Sequence, residues 1–484
     1  MIRPSTPLVE TLLDHAARHP RQAAIIAAGE TVSYGDFAQM IRSAAARIRR
    51  APCQRGDRIV LCGPNSPHLA AAYFAVHLAG GVAVLLDADA PSQSARWIVN
   101  DAEARLTLAA REIPLPGCVE DLAAWCQPGE AGLADSPRSG LADAADLIYT
   151  TGTSGRNKGV LLTHENIAQA ALNINAFVGT CGDDREVLPL PLSHSFGLGR
   201  LRAMAQVGHC LLLLPGMRNP AMVLKQLLDA KASGLALVPA GFDLILRMTR
   251  DRLGEARDHL RYIEIGSAAM PLATKLKLAD LLPHTRICHH YGLTEASRAA
   301  FLEYHADRNR LASIGRPSPN VELAVRDGEG RDLADGQQGE IAVRGRMVMQ
   351  QYWKQPELTH EVLRDGWLRT GDHGFREADG YYYLTGRQGD LVNVGGRKVS
   401  PEEVEQVLNT HPSVVESACV GIPDPQGIVG ECLKACLVLR DEVRDEQLVE
   451  WLRPRLEEYK IPRIWQRVDQ IARTASGKIQ RHLM

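Results

Sequence analysis

LIYTTGTSGRNKG, residues 147–159, runs from a short apolar strand into a loop that holds three glycines and four hydroxyl side chains between Thr150 and Gly159. Gly152, Gly155 and Gly159 let backbone N–H groups approach phosphate oxygens. Thr150, Thr151, Thr153 and Ser154 add hydroxyl donors, and Lys158 brings a mobile positive charge. By composition this is a phosphate cradle. It is not a Walker A sequence, because the lysine is followed by glycine and no GK[ST] occurs there. A flexible surface turn accounts for glycine and serine, but not for the lysine and the threonines together.

Around this loop, up to about residue 310, helical spacing alternates with short apolar strands. Residues 9–17 and 37–48 repeat apolar side chains at helical intervals, while 58–62, 82–86, 211–214 and 235–238 read as buried strands. The alternation predicts α/β layers around mostly parallel sheet. Residues 127–146, rich in Gly, Pro, Ser, Ala and Asp, read as a solvated connection. From 314 to 383, β-type runs such as VELAVRD, GEIAVRG and GYYYLTG predict a β-rich subdomain. A new unit starts after Asp390. Ser400-Pro401-Glu402-Glu403 is a capping box with proline at the first helical position, and a strand at 434–439 precedes a helix at 445–459. The predicted architecture is an N-terminal α/β domain with a β-rich subdomain over residues 1–388, followed by a small mobile α+β domain over 389–484.

Composition narrows the class. At 484 residues the chain exceeds a single core, and 45% hydrophobic with 23% charged residues is an ordinary globular mixture. A net charge of −2 with both signs interspersed leaves no electrostatic footprint for nucleic acid or an anionic membrane. Ten cysteines include no CxxC pair, and the nearest two, Cys432 and Cys436, lack histidines at zinc-ligand spacing, so reduced thiols are expected. The first twenty residues show no apolar core of a signal peptide, which predicts a cytoplasmic protein. Residues 69–86 approach the length of a membrane span, but Gly80-Gly81 splits them and His77 interrupts them. A buried helix running into a buried strand is expected instead, with no membrane span.

Five motifs then occur in order: TTGTSGRNKGV, HHYGLTEAS, GWLRTGDHG, GRQGDLVNVGGRKVSPEEVE and RTASGKIQR. In these, and over essentially its whole length, the chain resembles the acyl-adenylate-forming enzymes: acyl-CoA synthetases, adenylation domains of peptide synthetases and luciferases. The resemblance implies two half-reactions, in which a small carboxylic acid and ATP give acyl-AMP and pyrophosphate, and a thiol then displaces AMP. It implies that Tyr291 and Gly292 lie against adenine and that Thr294 lies beside the α-phosphate. Glu295, assisted by Thr151, is implied to hold Mg2+, and Asp372 and Arg387 to hold the ribose hydroxyls. A carboxylate suits a vicinal diol because it accepts two hydrogen bonds. Lys478 matches the catalytic lysine, a cation that bridges carboxylate and α-phosphate while negative charge builds between them. Ala472 stands where the usual proline precedes that segment.

The acid site is less legible. His194, in PLPLSHSFGLG, stands where many acyl-CoA synthetases carry a histidine near the acyl pocket, and a purely structural role for it is equally open. Gly266, Ser267, Ala268 and Gly241-Phe242 are expected to line the pocket and the adenine slot, although small residues there also serve as packing devices. Amino-acid-activating relatives place an aspartate near 189–199, and its absence here points to an acid without an α-amino group. Since the thiol must reach a carbonyl that Lys478 has just approached, the small domain is expected to rotate about Asp390, exchanging Lys478 for residues 392–396. Gly395 and Gly396 would then let backbone pass close to a pantetheine arm. The acceptor is coenzyme A, or alternatively the phosphopantetheine of an acyl carrier protein. A binding or regulatory protein whose catalysis has decayed is the third reading, opposed by the joint presence of Lys478, Glu295, Asp372 and Arg387.

Overall fold

Two sheets with parallel centres carry the N-terminal half, and their strands read as continuous apolar runs because helices cover both faces. The computed structural model describes residues 3–111, 113, 115, 119–129, 139–151, 157–217, 219–387, 392–394, 397–425, 431–473 and 479–484. The nine-stranded sheet runs, edge to edge, Arg316–Pro317, Ala300–Glu303, Arg286–Tyr291, Tyr262–Ile265, Gly234–Leu237, Arg185–Leu188, Cys210–Leu213, Ala23–Ala27, Glu30–Ser33. Its edge strands are antiparallel and the rest parallel. The seven-stranded sheet runs Gln351–Tyr352, Asn157–Thr163, Ala144–Thr151, Val82–Leu86, Arg58–Cys62, Leu106–Ala109, Val119–Asp121. Only its first two strands are antiparallel.

Helices Leu8–Arg18, Tyr34–Arg50, Pro67–Ala79, His164–Val178 and Ser195–Val207 share one hydrophobic core with residues of both sheets. Pro67–Ala79 is the helix expected ahead of the strand at 82–86. Every side chain from Leu69 to His77 is buried, and Gly80 at φ 84° ends it in the left-handed conformation that glycine adopts without strain. The β-rich subdomain is an antiparallel sheet of Val321–Arg326, Gly339–Gly345, Trp367–Arg376 and Leu363–Arg364, with Tyr382–Arg387 paired to Trp367–Arg376. Beyond it, Pro401–Leu408, Val414–Pro423, Glu431–Leu439, Asp445–Leu452 and Ile464–Arg467 enclose their own core around Val404, Leu408, Leu433, Leu437 and Leu448. No described helix is long and apolar enough to cross a membrane.

Several boundaries differ from the sequence expectation. The strands read at 211–214 and 235–238 are Cys210–Leu213 and Gly234–Leu237, and the helix read at 445–459 stops at Leu452, two residues before Pro454. At the capping box, Ser400 accepts from Glu403 N as expected, but the Glu403 carboxylate is taken by Lys460 Nζ at 2.7 Å. The connection read at 127–146 ends inside a strand, and Asp146 is fully buried. Its carboxylate accepts from Tyr73 Oη at 3.0 Å and from the Arg202 guanidinium, and lies 2.9 Å from His77 Nε2. Burial alone would raise this carboxyl, but Arg202 and His77 outweigh it and hold it below the ordinary value.

Lys275 is buried with its Nζ donating to the Leu311 carbonyl, and burial pushes the ammonium down to about 8 from 10.5. Between those two values the unfolded chain binds the additional proton, so this group makes stability rise with pH there and costs stability below. Lys275→Met removes that cost. The thermal midpoint of the variant minus that of the wild type is expected to be positive near neutral pH and to shrink toward about pH 10; a difference that does not vary with pH contradicts this.

Candidate active site

The phosphate-cradle sequence forms a hairpin. Strand Ala144–Thr151 pairs antiparallel with Asn157–Thr163, setting Thr150 opposite Lys158 and Tyr149 opposite Gly159. Lys158, read as part of the loop, thus sits on a strand. A Cβ at Gly159 would stand 2.9 Å from Leu147 Cδ1 and 3.0 Å from Trp353 Cβ, so glycine is what lets Trp353 close over the hairpin. The tip, with Gly152, Thr153, Ser154 and Gly155, and the Thr151 side chain lie outside the described residues.

Residues 348–353, which no motif marked, tie this hairpin to the YGLTE segment. Tyr352 pairs with Val160, and Trp353 N donates to Gly159 O at 2.7 Å, while Met349 N donates to Glu295 O at 2.8 Å. The Tyr352 hydroxyl donates to Glu295 Oε1 at 2.7 Å, and Lys158 Nζ lies 5.4 Å from the centre of the same ring. Lys158, Tyr352 and Glu295 therefore form one line of contact from hairpin to carboxylate. Gly292 opens a tight turn in which a Cβ would meet Arg298 N at 2.5 Å, and Leu293 and Ala296 exchange hydrogen bonds of 3.1 and 3.2 Å. Thr294 and Glu295 are carried half-buried on that turn.

A second contact joins the other end. The Tyr291 hydroxyl donates to Asp372 Oδ2 at 2.6 Å, and Asp372 stands opposite Arg387 in the ladder between Trp367–Arg376 and Tyr382–Arg387. Asp372 is positioned by a turn in which Gly371 takes φ 75° and donates from N to Glu340 Oε1 at 2.9 Å, while Glu340 Oε2 accepts from Arg369 Nε at 2.8 Å. The Arg387 side chain, Asp390, Gly395, Gly396 and Lys478 lie outside the described residues.

On the acid side, His194 caps helix Ser195–Val207 and its Nε2 lies 3.3 Å from Asp87 Oδ2, which also accepts from Ser193 Oγ at 3.1 Å. The hydrogen bond from His194, outweighing burial, sets the Asp87 carboxyl down to about 2. Asp87 ends the apolar run 82–86, a position with no local mark of function. Gly266 and the half-buried Ser267 (φ 73°) and Ala268 follow strand Tyr262–Ile265, and the Ala268 carbonyl lies 3.1 Å from His289 Nε2. Phe242 departs from expectation: it is fully buried in the core beneath helices Pro220–Asp229 and Pro239–Thr249 and presents no surface to a ligand.

Under both halves lies a buried ionic cluster. Arg200 donates to Glu186 Oε1 at 2.7 Å and to Glu264 Oε2 at 2.8 Å, and Arg298 Nε donates to Glu264 Oε1 at 3.0 Å. Burial would raise Glu264, but Arg298 and Arg200 hold it well below the ordinary carboxylate range.

Sequence comparison agrees with this geometry. The AMP-binding enzyme family matches residues 12–353, and the AMP-binding enzyme C-terminal domain matches residues 403–478. The chain is 30% identical over 480 residues to a feruloyl-CoA synthase of Amycolatopsis sp, covering 96% of this chain and 95% of that one. It is 29% identical over 487 residues to a 2-succinylbenzoate–CoA ligase of Bacillus velezensis, covering 97% and 96%. Among solved structures, ATP-bound MatB from Rhodopseudomonas palustris superposes with a TM-score of 0.91 at 27% identity, covering 99% of this chain and 97% of that one.

Proposed function

The chain belongs to the AMP-binding enzyme family and is an AMP-forming acid–thiol ligase, and from that premise we propose how its residues divide the work. ATP binds with its base against Tyr291 and its ribose hydroxyls on Asp372 and Arg387. Its phosphates lie along the hairpin of Thr150, Thr151, Gly152, Thr153, Ser154, Gly155 and Lys158. The observation that carries this reading is the pair of contacts that anchor the two ends of the cleft: Tyr291 to Asp372 at 2.6 Å, and Tyr352 to Glu295 at 2.7 Å beside Lys158.

Glu295 offers a hard oxygen donor, and Thr151 stands at the end of the adjoining strand. That donor set suits Mg2+, which takes one or two carboxylates together with substrate phosphates. Among the described residues no group of three or more His, Cys, Asp or Glu could hold a metal by itself, in keeping with an ion that shares its ligands with the nucleotide. When bound, it would neutralise phosphate charge facing the incoming carboxylate. Lys478 bridges carboxylate and α-phosphate during acyl-AMP formation. Rotation about Asp390 then withdraws it and brings Gly395 and Gly396 beside the arm of the incoming thiol. The thiol sulfur bonds to the acyl carbon as the bond to AMP breaks.

Coenzyme A is the proposed acceptor, supported by the two ligase relatives named above, both CoA enzymes over nearly their full length. Purified protein with ATP, Mg2+ and an acid panel is expected to form acyl-CoA with free CoA; thioester formed only on a phosphopantetheinylated carrier protein would assign the other acceptor. The nine described cysteines are all free, which supports a reducing, cytoplasmic setting. Asp372→Asn weakens a charge-assisted contact made equally in ground and transition states. It is therefore expected to raise KM for ATP roughly ten- to a hundred-fold with kcat little changed, measured by steady-state pyrophosphate release. A fall in kcat at unchanged KM would contradict the ribose role.

A further inference from the structure

Resting on the ligase reading above, we infer that His290 is the wall that limits the depth of the acid site, and that the acid this enzyme activates is short and carries no aromatic ring. Strand Arg286–Tyr291 alternates its side chains between two faces. His289 and Tyr291 share one face, where they meet Tyr304 Oη at 2.9 Å and Asp372 at 2.6 Å. His290 points to the other, toward the first turn of helix Ser195–Val207, and there its ring stands edge-on to Phe196 with centroids 4.6 Å apart. It thus lies between the two segments assigned to the acid, 194–196 and 266–268.

The space His290 fills is the space that Gly266 leaves. A Cβ at Gly266 would stand 2.0 Å from His290 Cε1. Glycine beside a substrate pocket ordinarily gives the ligand room against the backbone; here the room is taken by imidazole. The ring is also held there. Its Nδ1 lies 2.8 Å from Glu264 Oε1, the oxygen that accepts from Arg298 Nε at 3.0 Å. Arg298, itself buried and at φ 53°, donates from Nη1 to Ser195 O at 3.2 Å and from Nη2 to Phe196 O at 3.1 Å, fixing the opposite wall to the same cluster. Gly199 makes this fit, since a Cβ there would lie 2.3 Å from Arg298 Nη1. Swinging His290 aside would take a partner from a carboxylate that is fully buried, so the wall does not yield to a longer acyl chain at small cost. Burial pushes His290 below its ordinary value, so the ring is neutral at neutral pH and fills volume without adding charge.

The test is acid-dependent ATP–pyrophosphate exchange over a graded series from acetate to decanoate together with benzoate and cinnamate, for wild type, His290→Ala and His290→Asn. Wild type is expected to prefer the shortest acids, with kcat/KM falling on the order of ten-fold for the first methylene that meets the wall. His290→Ala should move the optimum to longer acids and raise kcat/KM for them about ten-fold or more, while the shortest acid loses activity. His290→Asn, smaller than histidine yet polar, should fall between and decides the matter if the alanine variant does not fold. Wild type that prefers decanoate or cinnamate overturns the proposal, as does an unchanged profile in a folded variant. Exchange with no acid at all would instead overturn the ligase reading.

Discussion

Lys478→Ala is expected to slow acid-dependent pyrophosphate exchange by roughly 10²–10³-fold or more, the usual cost of deleting one charged stabiliser of a developing anion. The same variant should bind ATP with nearly unchanged affinity and should convert synthetic acyl-AMP and CoA to thioester at close to the wild-type rate, because the second half-reaction does not use the ammonium group. Exchange measured by incorporation of labelled pyrophosphate into ATP, next to thioester formation from acyl-AMP, separates the two steps. Equal loss in both would show that Lys478 supports the fold or the whole site rather than adenylation.

The largest effect on stability is expected from Arg200→Ala. Arg200 is fully exposed to protein and none of it to solvent, bonded to Glu186 and Glu264, while Glu186 also accepts from Tyr262 Oη at 2.6 Å. Burial pushes Glu186 up, and the guanidinium more than compensates, holding it at about 2. Removing the cation strands two carboxylates in the interior at a cost of about 3–5 kcal/mol, a large share of the ~5–15 kcal/mol that folds a typical domain. With Arg200 gone, both carboxyls move above their unfolded values, so the variant should lose stability as pH rises through that range while wild type does not. Urea unfolding followed by circular dichroism at about pH 5 and pH 8 reads both effects. A loss below about 1 kcal/mol, or one that does not depend on pH, would contradict the account of the cluster.

Strands 58–62 and 82–86 were legible to the residue because each is a closed apolar run between polar or glycine neighbours. At 211–214 and 235–238 the apolar run continues past the ladder, so hydrophobicity alone misplaces the end by one residue. Asp146, Arg200 and Arg298 were not legible. A charged side chain enters the core only with its partners, and those partners stand 56, 64 and 34 positions away for Arg202, Glu264 and Glu264 respectively. The same holds in the site. Tyr291, Glu295 and Asp372 stood inside motifs, whereas Tyr352, which joins Glu295 to the hairpin, and Asp87, which faces His194, lie in stretches whose local pattern says only strand or strand end. Phe242 was misread because an aromatic beside glycine fits a binding slot and a packed core equally well.

Acyl transfer through a mixed anhydride with AMP is the claim on which the rest depends. With ATP, Mg2+ and a short acid but no thiol, mass spectrometry of a single turnover should find acyl-AMP and pyrophosphate bound to the protein, and addition of CoA should convert them to acyl-CoA and free AMP. ADP and inorganic phosphate in place of AMP and pyrophosphate would contradict it.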